Sequence, residues 1–164
     1  MRKLFFVIAI LFFGVQSFKA QEIEMTKVWG GYQFTQDGKN LSLNDIEHGI
    51  LRPIFRDNRI HYAVNCASIS CPNLAKEAYT ASNTDSLLEQ GAKEYINHPR
   101  GVIFEKGQLK ISSIYHWYKE DFGGNDKSLI KHFIHYAEPA LAKKLSTYQG
   151  DIEHDYDWAL NQPL

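Results

Sequence analysis

RIHYAVNCASISCPNL, residues Arg59 to Leu74, is the stretch around which the rest of the chain is arranged. It holds both cysteines, Cys66 and Cys71, with His61 just upstream. The β-branched and aromatic run Ile60 to Val64 predicts a short strand. A polar bend follows, and Pro72 suits the first turn of a new helix. A junction of this kind favours a thiolate, because helix N-terminal N–H groups point at it.

Upstream, residues 1–20 predict a signal peptide. Arg2 and Lys3 form a basic start, Leu4 to Val15 is apolar, and Ser17 to Ala20 offers small residues for cleavage before Gln21. The apolar run is shorter than the roughly 20 residues of a membrane span, so no stable span is expected after cleavage. No cysteine follows it, which argues against a lipid anchor. Residues 21–164 then read as a single domain of about 140 residues, enough to bury a core. The expected location is secreted or periplasmic, an oxidising space in which two cysteines five positions apart can pair. A formal charge of −1 gives no general attraction to nucleic acid or to anionic lipid.

Downstream and upstream signals alternate. Trp29, Tyr32 and Phe34, the turn Asp37-Gly38, and Leu41 to Leu43 predict a hairpin. Asn44 with Glu47 resembles a capping box for a short helix, Asp45 to Leu51, which Pro53 should end. A brief helix is expected over Asn73 to Tyr79. A firmer one is expected from Asn83 or Thr84 to Asn97, with Leu88, Ala92, Tyr95 and Ile96 on its inner face. Val102 to Phe104 and Leu109 to Ser112 flank Lys106-Gly107 as a second hairpin. Ser112 or Ser113 caps a helix ending at Gly123-Gly124, Asp126 caps the next, and Pro139 opens a last one. The aromatic tail, Ile152 to Leu164, is expected to pack on the body. The class is α+β, a single compact domain of several short helices on short hairpins.

Four stretches resemble a known family: LNDIEHGILR (Leu43 to Arg52), DNRIHYAVNCASISCP (Asp57 to Pro72), SIYHWYKEDF (Ser113 to Phe122) and YDWALN (Tyr156 to Asn161). In this order they resemble the family catalogued as domain of unknown function 547, from about residue 40 to the end. The second stretch is the specific one. An upstream helical segment with a Phe-Trp-Ile-Asn pattern, usual in that family, has no match here, so the chain reads as a shortened member. The family name records no activity, so the resemblance implies kinship of fold more than a function.

The residues support three chemistries. A Cys66–Cys71 disulfide would close a small loop and contribute on the order of 2 kcal/mol. Alternatively Cys66 is a nucleophile, with His61 or His48 as its base. In a strand His61 and Cys66 point to opposite faces, so a dyad needs the chain to bend between them. His61 equally suits a hydrogen-bonded core histidine, and Glu47 suits a cap. Zinc held by His48, His61, Cys66 and Cys71 is the third; the spacing is not a short Cys-x2-Cys pair, so no metal or cofactor is expected. His116, His132 and His135 read as surface positions. Asp121, at a helix end, needs a cation such as Arg52 or Arg59, and Asp157 reads as an anchor of the tail. Trp117, Tyr118 and Trp158 read as core aromatics.

Two functions follow. One is a thiol-dependent hydrolase or acyl-transfer enzyme of papain-like or transglutaminase-like logic, acting on peptide or amide bonds. The other is a non-catalytic envelope module, stapled by Cys66–Cys71, that binds a peptide or another envelope partner.

Overall fold

In the three-stranded sheet that anchors the fold, β3 (Val102–Glu105), β4 (Gln108–Ser112) and β5 (Ile152–Asp155) lie in that spatial order. The structure, a computed structural model, describes residues 34–36 and 39–161. The predicted signal peptide and the Asp37-Gly38 turn lie outside these residues. A separate pair of strands, β1 (Phe34–Gln36) and β2 (Lys39–Leu41), runs antiparallel, as the sequence suggests.

The β3–β4 hairpin turns on Lys106 and Gly107, at φ 50° and 85°. Two consecutive positive φ values give the turn whose twist matches paired strands. β5 pairs parallel to β4, with Leu109 opposite Ile152 and Ser112 opposite Asp155. Parallel neighbours need a long crossover. Here it is helical: α2 (Ser113–Trp117), a 3-10 turn (Lys119–Phe122), α3 (Asp126–Tyr136) and α4 (Pro139–Thr147). Ser112 Oγ accepts the Ile114 N–H and starts α2 as expected. Gly123 and Gly124, at φ 94° and 75°, end the 3-10 turn. The cap of α3 is Asn125, whose side chain accepts from Ser128 N at 2.9 Å, in place of Asp126.

Helix α1 (Thr84–Ile96) buries Leu88, Ala92, Tyr95 and Ile96, the stripe its period predicts. Ala92, Tyr95 and Ile96 meet Val102, Leu109 and Ile111 of the sheet, and Leu129, Phe133 and Leu145 of α3 and α4, in one core. Helices and a small mixed sheet around that core make a single α+β domain.

Three local expectations give way to tertiary packing. Asn73 to Tyr79 forms bends, not a helix. Asp45–Phe55 is a π-helix that runs through Pro53. A proline inside an α-helix loses a bond and strikes the carbonyl four residues back, and a wider turn relieves the clash. Asn44 makes no side-chain cap there; Ser42 and Asp45 bond each other reciprocally instead, at 2.6–3.1 Å. Finally, Asn58–Tyr62 is a 3-10 helix, not a strand. Asp57 Oδ1 accepts from Arg59 N at 2.9 Å and nucleates the turn. The turn lets Ile60, His61 and Tyr62 all be buried in succession, which a strand with one solvent face would not allow.

Candidate functional site

Two polar clusters flank the quoted stretch. The first grows from the 3-10 helix at its start. His61 is 3% exposed, and its Nε2 lies 2.7 Å from Asp121 Oδ2. Arg52, from the π-helix, donates two further bonds to Asp121, at 2.6 and 3.0 Å. A carboxylate can only accept, so His61 carries its proton on Nε2. Arg52 also donates to His48 Nδ1 at 3.1 Å, which fixes that nitrogen as an acceptor. Tyr118 is the floor: His61 stacks on it at 4.3 Å, and the Arg52 guanidinium lies 4.8 Å from its ring centre. Glu47 is buried and faces the Tyr118 hydroxyl. Arg52 holds the Asp121 carboxyl below its ordinary range, against the opposing effect of burial.

The second cluster surrounds the cysteines, which form a Cys66–Cys71 disulfide. Asn65 Oδ1 accepts from Ala67 N at 2.7 Å, and Ala67 takes a positive φ of 58°, so the chain reverses there. Cys66 N–H points at Cys71 Sγ at 2.8 Å. The Tyr156 hydroxyl lies 3.0 Å from Cys66 Sγ and 3.3 Å from Cys71 Sγ. Ser68 Oγ donates to that hydroxyl at 2.8 Å, which leaves the tyrosine hydrogen for sulfur. The tail is laced across the loop: Ile69 N to Ala159 O and Asn161 N to Ala67 O are both 2.8 Å. Tyr95 OH reaches in from α1 to Ser70 O at 2.6 Å.

The predicted residues are thus divided between two groups. His48, His61, Glu47 and Asp121 gather around Arg52 and Tyr118, whereas Cys66 and Cys71 sit under Tyr156 and Ser68. Arg52, not Arg59, is the partner of Asp121; Arg59 binds Asp57, Asp85 and Glu89. Asp157 joins the tail to the loop through its backbone, its N–H going to Ser70 Oγ at 2.8 Å. Trp117 and Trp158 are not core: at 46% and 43% exposure they stack on each other beside Tyr156. His132 is half-buried, not a surface residue, and its Nε2 lies 2.7 Å from the Tyr62 hydroxyl. Tyr118, Tyr156 and Ser68 are the residues that sequence reasoning passed over as site members. The two tyrosines do stand inside the stretches SIYHWYKEDF and YDWALN, which was the available signal. Among the described residues no group of three or more His, Cys, Asp or Glu side chains is placed to hold a metal ion, and no helix is long and apolar enough to cross a membrane. Two concave surfaces lie at the sheet end, lined by Phe104, Lys144 and Tyr148 and by Glu105, Lys110 and Glu153; neither includes a cysteine, His48 or His61.

A family model described as "Protein of unknown function, DUF547" matches residues 4–96, more than half of the chain. The chain belongs to this family. The match contains the stretches 43–52 and 57–72, hence both cysteines, His48, His61 and Arg52. It starts further upstream than the resemblance from about residue 40, and the stretches 113–122 and 156–161 lie beyond it. No curated protein and no solved structure matches the chain.

Burial leaves His61 and His132 of this DUF547 domain poorer bases than usual. His132 is pushed down from 6.5 to about 4, first by desolvation and then by nearby His135. His61 is also lowered, by burial first, with Asp121 opposing. Both therefore take up protons more readily in the unfolded chain. Stability contributed this way is present above the unfolded value of 6.5 and is lost as pH falls from there towards the folded values. The urea midpoint is expected to decline steadily on acidification from pH 6.5 to about 4. His132→Gln, which still offers Tyr62 a partner, is expected to flatten part of that decline. A midpoint constant across the window would contradict the assignment.

Proposed function

We propose that this DUF547 domain is an exported binding module of the cell envelope, stapled by Cys66–Cys71, whose partner is a peptide or another envelope component. One observation carries the reading: the sulfurs are joined to each other under Tyr156 and Ser68, while His48 and His61 are engaged by Arg52 and Asp121. A thiol hydrolase needs a free thiolate with a base within hydrogen-bond reach. Instead the best-oriented imidazole, His61, is 3% exposed and has no open face for substrate. The half-exposed Trp117 and Trp158, with Ile69 at 43%, offer an apolar contact surface beside the staple.

The test is a thiol count followed by an active-site probe. The mature protein is expected to weigh as the disulfide and to resist alkylation without reductant, and Cys66, once reduced, is expected to react with a peptide vinyl sulfone no faster than a model thiol peptide. Rapid labelling of Cys66 that is lost in His48→Ala or His61→Ala would sink the binding reading and establish the hydrolase. That second reading has one observation in its favour, the Asp121–His61 hydrogen bond, which orients an imidazole as a catalytic carboxylate would.

A further inference from the structure

The two sulfurs of the staple are not equivalent. Cys71 is 3% exposed, whereas Cys66 is only half-buried and sits at the reversal of the loop. An external thiolate therefore meets Cys66 first. The groups around the pair are donors: Cys66 N–H lies 2.8 Å from Cys71 Sγ, and the Tyr156 hydroxyl is within 3.3 Å of it. Arg100 adds a positive charge at the same loop, donating to Ile69 O at 3.3 Å. Its field is felt at Tyr156, whose hydroxyl burial nevertheless keeps protonated and so a donor. Amide and hydroxyl donors near a cation stabilise a thiolate, and a stabilised thiolate is a good leaving group.

We propose that Cys66–Cys71 is an exchangeable disulfide, opened by attack of an external thiolate on Cys66 Sγ. The new S–S bond forms at Cys66 as the old one breaks, and its electron pair leaves on Cys71 Sγ, held by Cys66 N–H and the Tyr156 hydroxyl. A second thiolate of the donor then attacks the donor's own sulfur in the mixed disulfide. Cys66 departs as a thiolate and is protonated. The donor ends as a disulfide, oxidised by two electrons, and the domain ends as the Cys66/Cys71 dithiol. The reverse sequence re-forms the staple at the expense of a donor disulfide. This goes beyond the binding reading and does not depend on it, since it needs only the paired cysteines.

The oxidised full chain, treated with reduced glutathione and quenched by alkylation, is expected to yield a mixed disulfide that maps to Cys66. Opening in the folded protein is expected to be at least about tenfold faster than in the same chain held in denaturant. Tyr156→Phe, which removes only the hydroxyl, is expected to cut the folded rate by about tenfold while leaving the rate in denaturant unchanged. A role of Tyr156 in packing alone would move the melting temperature and not this ratio. Parallel runs with dithiothreitol separate dithiol from monothiol donors: a mixed disulfide should accumulate only with the monothiol. Glutathione found on Cys71, or folded opening no faster than in denaturant, would overturn the proposal. Those outcomes leave the thiol count and the vinyl sulfone result untouched, so failure here is distinguishable from failure of the binding reading.

Discussion

Asp121→Ala is expected to lower the unfolding free energy by about 3 kcal/mol, and the melting temperature by roughly 6–12 °C. The carboxylate accepts from Arg52 Nε, Arg52 Nη2 and His61 Nε2, at 2.6, 3.0 and 2.7 Å. Its loss strands a guanidinium and a buried imidazole donor together. Breaking one side of a buried ion pair costs about 3–5 kcal/mol. Here the Arg52 and Asp121 side chains are 27% and 25% exposed, so water recovers part of that and the low end applies. The comparison is Arg59→Ala. Arg59 has three carboxylate partners, but Asp85 and Glu89 are 85% and 47% exposed. Its removal is expected to cost about 1 kcal/mol or less. The pH dependence gives an independent check. The Asp121 carboxyl is held below its ordinary 3.8, so its contribution is present above that value and lost as pH falls through the folded one. Urea titrations of parent and variant should therefore converge below about pH 3.8. A difference near zero at pH 7 would mean that this cluster contributes no stability.

Gly101→Ala is expected to cost at least about 3 kcal/mol and to depress soluble yield. A Cβ placed at Gly101 would sit 2.0 Å from the Tyr95 carbonyl oxygen and 2.8 Å from its carbon. Neither backbone can yield easily. Gly101 N–H is bonded to His98 O at 2.8 Å, and Gly101 O accepts Ser112 N at 2.9 Å. Tyr95 is held at its other end, where its hydroxyl donates to Ser70 O at 2.6 Å and lies 2.9 Å from Ser112 Oγ. The close approach of α1 to β3 thus also sets where Tyr95 meets the disulfide loop. Gly49→Ala is the control, because nothing lies within 4 Å of a Cβ there. That change is expected to be neutral or slightly stabilising, as alanine is the better helix former. If Gly101→Ala falls within 1 kcal/mol of the parent in urea, the steric account is wrong.

Much of the domain was legible because its signals are short. The α1 stripe repeats within one helix, Lys106-Gly107 needs two residues, and Ser112 caps a helix two positions on. Arg52 could be named as a partner for Asp121 because a carboxylate at a helix end calls for a cation. The strand expected at Ile60 to Val64 failed for the opposite reason. Its β-branched and aromatic residues fit a strand locally, but His61 and Tyr62 each find a partner on a different element, 60 and 70 positions away. β5 was invisible as a strand because Glu153, His154 and Asp155 are exposed and carry no alternation to read.

The amino-acid order alone determined the α+β class, the kinship, the helix and hairpin punctuation, and that the two cysteines were close enough to pair. Those are consequences of backbone preference and apolar period, which act over a few residues. Only the tertiary structure decided that the imidazoles belong to Arg52 and Asp121 and the sulfurs to Tyr156, 90 and 85 positions from Cys66 and Cys71. Such partnerships form when burial forces each polar group to find a donor or acceptor in space, and no window of sequence contains both halves of the bond.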